Sequence, residues 1–591
     1  MSKKFWTYWC VWMLLDLVTA VLMELYTDEG YYWMWSQHMD WGYYDHPPMV
    51  AAWIWLSSHL WPLGGGLSVR LVTVLMHGVT LWLMAKITFG TQREHPAERS
   101  LAREEDVFFL VAGSLVMFTV AGFLTTPDAP MLLFTSAFFL CLERYFKSPA
   151  LKEEREKWLW AIGIGVCLAL MTYSKYMVVP VLGLVVVANP KLMKDVKMWV
   201  ALLVAGILIL PHILWQVKMG FPSLQFHLVA RSDPFEWGYL LDYIPNQLIV
   251  FNPILLVLGV ILSVKILWGK NKSEDAFERT MAWQILGFEA FFALMTFRGH
   301  VEPHWTMTCS IAIVVVGGRW MIDRLRQLDR PADYLTADAV RPAAPVRFVY
   351  WGLVVIVGLI MVARVVLWAN ILPIQTGLGS KKVRYESMKE LSEGRPVVFA
   401  GSFQWTSMYQ WFEHEPAILV HDLRHYRHTQ YEFWHLEMPY QGKPVCVLEP
   451  MPGAMPVQTP TDELYKRLIE RFQATDGIEI RPVEPERRKT AMLKEDGLEI
   501  EVEVENPYGV DFEWRHSEMP VQLCIAGLVD NEWQVVWNVQ RLGREDVIHA
   551  GGKAVYRISA NAPWFKKEQK ICIGLHNGIV LTKNSEWITL D

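Results

Sequence analysis

The sequence predicts a polytopic α-helical membrane domain followed by a periplasmic α/β unit and a β-sandwich. Three observations carry that reading. About eleven apolar windows, each able to cross ~30 Å of hydrocarbon, crowd residues 1–370. Charges of both signs return after residue 380, and from about residue 490 apolar and polar side chains alternate with the period of a strand. Composition agrees, since 52% of the 591 residues are hydrophobic, 13% are aromatic and the mean hydropathy is +0.19, richer than a soluble enzyme.

The windows fall near 5–26, 68–90, 107–123, 128–146, 158–174, 176–189, 197–217, 245–268, 280–297, 304–320 and 347–368. The first is too long, too interrupted by Asp16 and Glu24, and too poor in small residues at its end for a cleaved signal peptide, so a retained helix is expected. When the connecting loops are numbered alternately, one set carries about 23 Lys and Arg, and the other about four, Lys175, Lys218, Arg231 and Arg298. This asymmetry predicts a cytoplasmic N-terminus. An odd number of spans then puts everything after residue 369 outside.

The expected boundaries are 1–370 for the membrane domain, 371–488 for the α/β region and 489–591 for the sandwich. "RPVVFAGSFQWTSMYQWF" reads as strand, Gly-Ser turn and helix, "KPVCVLEP" as a strand and "TDELYKRLIERFQ" as a capped amphipathic helix. "LEIEVEVE" places Leu498, Ile500, Val502 and Val504 on one face with glutamates opposite. "VQLCIAGLV", "WQVVWNVQRL", "AVYRISA" and "KICIGLHNGIVL" read as further strands. Net charge −6 gives no basic surface for nucleic acid. The seven cysteines lack metal-site spacing, and of them only Cys524 and Cys572 could pair, which the sequence leaves open.

The outward loops hold the unusual polar residues. "LYTDEGYYWMWSQHMDWGYYDHPP" supplies Asp28, Glu29, Asp45 and His46, "LTTPDAP" supplies Asp128, "TYSKY" supplies Lys175, and "FRGHVEPHW" supplies Arg298, His300, Glu302 and His304. Carboxylates at the ends of apolar helices keep a useful basicity in aromatic surroundings. Lys and Arg at the same depth suit a phosphate, although simple snorkelling explains such cations too. Trp and Tyr here also fit an interfacial belt. Asp16, Glu24, Glu289 and Arg364 lie mid-span, where pairing inside the bundle is expected.

The Asp28-Glu29 pair after the first span, "YYDHPPMVAAW", "TTPDAP", "MTYSKY", "WQVKMGFPS" and "RGHVEPHW" occur in the order found in protein O-mannosyltransferase-like integral-membrane glycosyltransferases. The chain resembles that superfamily over about residues 5–320, and within it bacterial enzymes similar to the aminoarabinose transferase of lipid A. The resemblance implies a GT-C fold with about eleven transmembrane helices and juxtamembrane helices in the first outer loop. It implies an inverting transferase of a hexosyl or pentosyl group from a polyprenyl-phosphate donor, with a lipid, glycan or secreted protein as acceptor, in a bacterial inner membrane. Asp28 matches the catalytic carboxylate, Glu29 its partner and Asp128 the second acidic motif. His46 stands where many relatives have Lys before Pro-Pro, so its charge depends on pH.

Such a displacement needs a base for the acceptor proton and cations for the leaving phosphate. Asp28 supplies the first; Lys175 and Arg298, with His46, Arg231 and His300, supply the second. Tyr31, Tyr32, Tyr43 and Tyr44 form a partly apolar substrate wall. No cofactor is required on this reading. A divalent metal on His300, Glu302 and His304 is the weaker alternative, because their alternating spacing around a proline lacks the helical i, i+4 geometry of known zinc motifs. The rival class is a transporter or flippase, which would carry its ionisable residues near mid-bilayer on broken helices and often show repeated halves.

Overall fold

The first helix, α1 (Lys3–Leu22), starts where the Ser2 side chain accepts a hydrogen bond from Phe5 N at 3.1 Å. The computed structural model describes residues 1–90, 104–147, 154–227, 235–270, 272–328, 344–372, 380–425, 428–449, 455–458, 463–483, 490–491, 493–494, 497–529, 532–537, 539–542, 546–561 and 565–590. They divide into two compact units, Met1–Ser380 and Lys381–Asp591.

In the first unit α2 (Thr27–Gln37) and α3 (Met49–Leu60) fill the loop between α1 and α4 (Leu67–Phe89). There follow α5 (Glu104–Gly113), α6 (Val116–Val120), α7 (Asp128–Lys147), α8 (Glu154–Ser174), α9 (Val178–Ala188), α10 (Val196–Leu208), α11 (Leu210–Lys218) and α12 (Pro222–Gln225). The unit closes with α13 (Trp237–Phe251), α14 (Pro253–Trp268), α15 (Ala276–Met295), α16 (Cys309–Leu328) and α17 (Ala344–Ala369). Among the described residues six helices are long and apolar enough to cross a membrane, or up to eight if each of two bent pairs is one span.

Several expected spans are therefore not single helices. Window 107–123 is divided between α5 and α6, and window 176–189 contains only the 11-residue α9. Window 197–217 bends by 51° between α10 and α11, where Pro211 opens the second helix. Window 245–268 bends by 98° between α13 and α14. There Asn252, at φ 56°, accepts from Leu255 N at 2.8 Å and donates to Ser114 O at 2.9 Å, so its amide replaces the helical bonds the break removes.

α4 is central, with 72% of its apolar window buried, whereas only 11% of that of α17 is. A helix apolar on all sides and covered on few suits a lipid environment. Asp16 and Arg364 pair inside the bundle: Arg364 Nη2 donates to Asp16 Oδ1 at 2.8 Å, and His77 Nδ1 lies 2.8 Å from Asp16 Oδ2. Glu289 accepts from the Tyr243 hydroxyl at 2.9 Å, and Glu24 from Ser380 Oγ at 2.8 Å.

The second unit begins with α18 (Lys382–Ser392), β1 (Val397–Ala400), α19 (Phe403–Glu413), β2 (Ala417–Val420), α20 (Tyr431–Trp434), β3 (Val445–Glu449), β4 (Met455–Gln458) and β5 (Glu463–Ile469). They form a sheet of order β2-β1-β3-β5-β4, parallel across β2, β1 and β3 and antiparallel beyond. The helix expected over "TDELYKRLIERFQ" is instead β5. Its backbone pairs with β3 from Val445↔Ile469 to Glu449↔Tyr465 and with β4 on the other side, and that ladder overrides a helical pattern.

The remaining strands include β6 (Glu479–Pro482), β7 (Thr490–Ala491), β8 (Leu493–Lys494), β9 (Gly497–Glu505), β10 (Phe512–Glu513), β11 (Gln522–Val529), β12 (Glu532–Val536) and β13 (Gln540–Leu542). After them come β14 (Val547–Ile548), β15 (Lys553–Ala560), β16 (Lys570–His576), β17 (Leu581–Lys583) and β18 (Ile588–Leu590). Two sheets, β12-β11-β16-β18-β7 and β13-β15-β9-β6, contribute to one core that holds Ile500 and Val502 with Ile525 and Ile573. "WQVVWNVQRL" is thus two strands in different sheets. Cys524 and Cys572 are free thiols: Cys524 faces Gly574 and Cys572 faces Ala526, two positions apart in register.

Candidate active site

The site is assembled where α1 ends, α2, α4 and α7 begin, and α8 ends. Two carboxylate–cation pairs fix it. Glu29 is fully buried and accepts from Arg70 Nε at 2.8 Å and Nη2 at 2.5 Å, from Thr125 N at 2.9 Å and from Tyr26 N at 2.9 Å. The last contact closes a capping box at the start of α2. Arg70 also donates through Nη1 to Ala20 O (3.1 Å) and Met23 O (2.7 Å) and through Nη2 to Glu24 O (3.0 Å), so every donor of the guanidinium has an acceptor. Gly66 permits this approach, because a Cβ there would stand 2.6 Å from Ala20 O. Glu29 therefore holds α1, α2, α4 and the 125 loop together, a positioning task.

Asp128 opens α7, and Lys175 sits in the break between α8 and α9. The Lys175 ammonium donates to both Asp128 oxygens, at 2.7 and 2.8 Å, with both residues buried. His304 Nε2 lies 3.9 Å from Asp128 Oδ2. Asp28 is half-buried at the first turn of α2. Burial raises the pKa of the Tyr26 phenol, and the carboxylates of Asp28 and then Glu302 raise it further, so those two groups share one electrostatic environment with Tyr26. The 300–306 segment thus lies beside the Asp128–Lys175 pair through His304, and Glu302 acts electrostatically on Tyr26, two residues from Asp28.

Arg298 ends a short 3-10 turn and is exposed; Gly299 follows at φ 147°. His300 is exposed, with Nδ1 3.9 Å from Glu302 Oε1. Among the described residues no three His, Cys, Asp or Glu are gathered to hold a metal ion, so His300, Glu302 and His304 do not form a cluster. Arg231 lies outside the described residues.

His46 is half-buried, its ring 6.2 Å from Tyr32 and 6.3 Å from His227. The four tyrosines of the expected wall are buried in the loop's own core. The Tyr31 hydroxyl donates to Asp45 at 2.8 Å, Tyr43 stacks on Trp35 at 4.5 Å and donates to Trp35 O, and Tyr44 packs 5.3 Å from Phe226. Tyr43, with no exposed surface, shapes the loop from behind. Ser223 Oγ donates to Tyr43 O and Trp215 Nε1 to Asp40, which tie the loop to α11 and α12.

Sequence reasoning passed over Arg70, and treated Glu302 and His304 only as metal ligands. The signal for Arg70 was there, a lone cation one turn inside an apolar span, "LSVRLVTVLMH".

With that geometry in place, comparison with known proteins adds the class. The family model described as dolichyl-phosphate-mannose-protein mannosyltransferase matches residues 45–215, which include Asp128 and Lys175. Lipid A galacturonosyltransferase RgtD of Rhizobium johnstonii is 25% identical over 313 residues, covering 49% of this chain and 59% of the relative, so the match spans less than two thirds of that protein. The crystal structure of apo ArnT from Cupriavidus metallidurans superposes with a TM-score of 0.54 at 14% identity, covering 79% of this chain and 98% of that one. ArnT bound to undecaprenyl phosphate gives 0.52 at 16% identity with the same coverage. The fold is that of the GT-C membrane glycosyltransferases. Within that class the chain is similar to ArnT-like transferases.

Proposed function

We propose that the protein moves a sugar from a polyprenyl-phosphate donor to a lipid acceptor at the periplasmic face of a bacterial inner membrane, with inversion at the anomeric carbon. The reading is supported by the likeness to a lipid A galacturonosyltransferase and by the fold shared with a structure bound to undecaprenyl phosphate. The observation that carries it is the buried Asp128–Lys175 pair with His304 beside it, at the end of the bundle where Glu29, next to Asp28 in sequence, bonds to Thr125 N, three residues before Asp128. Asp28 takes the proton of the acceptor hydroxyl as its oxygen attacks the anomeric carbon. The bond to the phosphate breaks on the opposite face, and Lys175, Arg298 and His46 hold the departing charge. Glu29 and Arg70 keep Asp28 in place.

The test is Asp28→Asn, which keeps shape and removes the base. Turnover measured with a polyprenyl-phosphate sugar should fall by about two to four orders of magnitude, with donor affinity within a few-fold of wild type. Turnover near wild type would take the role of base from Asp28.

A further inference from the structure

The helices that carry the candidate active site build a second feature at their other ends. α7 has 20 residues, about 30 Å of helix, with Asp128 at its first position and Tyr145 in its last turn; α8 runs back from Glu154 to end beside Lys175. A cavity of about 410 Å³ lies among these far ends, the 3-10 turn Pro190–Lys194 after α9, and the starts of α10 and α15. Its lining carries four cations, Lys157, Lys191, Lys197 and Arg279, against two carboxylates, Glu154 and Asp195.

Both carboxylates are engaged. Asp195 accepts from Lys197 N at 3.0 Å through Oδ1 and from the Tyr145 hydroxyl through Oδ2, and Glu154 Oε1 lies 2.8 Å from Lys197 Nζ. Arg279 is braced: Nη1 donates to Glu274 O at 2.8 Å and Nη2 to Asn189 Oδ1 at 3.4 Å, while the buried Asn189 amide donates to Thr280 Oγ1 at 2.7 Å. Lys157 and Lys191 make no hydrogen bond or ion pair among the described residues. The lining therefore keeps an excess of positive charge with donors to spare, which suits an anion and above all a phosphate.

The neighbouring surface decides what kind of phosphate. Leu192 lines this cavity and also an adjoining groove among α7, α8, α9 and α10, whose walls, Leu142, Leu168, Val185 and Met198 among them, hold no charged side chain. Met193 and Trp199 on that groove are 50% and 52% exposed, so it opens at the apolar surface of the bundle. A cationic pocket continued by an apolar groove matches a charged head joined to a chain; a soluble phosphate would leave the groove unused.

We infer that this end of the bundle binds one anionic phospholipid, with its phosphate on Lys157, Lys191 and Arg279 and an acyl chain in the groove beyond Leu192. The inference uses none of the transfer chemistry and stands or falls separately from it. The experiment is native mass spectrometry of the full chain in detergent, titrated with phosphatidylglycerol, phosphatidylcholine or inorganic phosphate. It is repeated on Arg279→Met, on Lys157→Met combined with Lys191→Met, and on Lys265→Met, a cation in the last turn of α14 outside the lining.

One phosphatidylglycerol should bind saturably and more tightly than phosphatidylcholine. Its affinity should fall about 10- to 150-fold in each of the first two variants, the loss expected for a charge-assisted hydrogen bond, and stay within a few-fold in Lys265→Met. The exchanged side chains are exposed or half-buried and lie on separate elements, with circular dichroism as the check on folding, and the lipid preference of the unaltered protein needs no variant. Equal binding of the two lipids, affinity unchanged in both pocket variants, or the same loss in Lys265→Met overturns the inference. Inorganic phosphate bound as tightly as phosphatidylglycerol also overturns it, in favour of a soluble anion.

Discussion

The Glu29–Arg70 and Asp128–Lys175 pairs lie at the same end of the bundle and look alike in sequence, a carboxylate and a cation at helix ends. They are built differently. Both partners of the first have no exposed side-chain surface, and the guanidinium is also spent on three backbone carbonyls. In the second the side chains keep 4% and 9% exposure, and the cation is a lysine at a helix break. A planar fork saturated by carbonyls is a joint. A point charge on one carboxylate can be shared with an incoming phosphate at modest cost.

The largest effect should come from breaking the joint. Arg70→Met leaves Glu29 buried without its partner and should cost about 3–5 kcal/mol, read as a lower melting temperature of the purified protein and loss of turnover together. Arg70→Lys should recover little, because an ammonium has three donors where the guanidinium uses five. A melting temperature unchanged in Arg70→Met would erase the distinction between the pairs. Next in size is the exchangeable pair. Lys175→Met, and separately Arg298→Met, should weaken polyprenyl-phosphate binding about 10- to 150-fold while shifting the melting temperature less than Arg70→Met. Unchanged donor affinity in both would move the phosphate site elsewhere.

A third cluster sharpens the comparison through pH. Burial pushes Glu432 up to about 7 and His428 down to about 4. Burial also opposes the charge on His421, but Asp476, Glu432 and Glu437 outweigh it and hold its pKa above the usual value. Glu432 and His421 both bind protons more tightly when folded, so their stabilisation is lost as pH rises through the folded values. His428 has the opposite sign and offsets Glu432 below its unfolded value near 6.5. Opening free energies from amide exchange of β1 to β3 should therefore fall by on the order of 1 kcal/mol between pH 6.5 and 8, and Glu432→Gln should flatten the fall. The smallest effect is His46→Lys, which should leave donor affinity within a few-fold at pH 6 and reduce its decline toward pH 8.

Much of the membrane unit was legible because lipid-crossing helices announce themselves by uninterrupted apolar length. The breaks were not, since Asn252 donates to Ser114 across 138 residues and no local pattern records that. β5 was misread for the same reason: its partners β3 and β4 decide its conformation. At the site, Asp28, Asp128 and Lys175 stood out as polar residues in apolar surroundings, whereas Arg70 hid inside a span, and the place of His304 beside Asp128 needed the fold. "LEIEVEVE" could be read directly, because its alternation is itself the two-faced environment of β9.

Arg364 reaches Asp16 across 348 residues, and its helix is covered on few sides. During synthesis at about 5–20 residues per second, α1 waits roughly 20–70 s for that partner to emerge. Until then Asp16 has His77 as its buried neighbour, and Arg364 on arrival carries a charge that lipid alone does not accommodate. The helix that carries Arg364 is thus a closing latch: a chain that stops before residue 364 leaves Asp16 without its guanidinium partner.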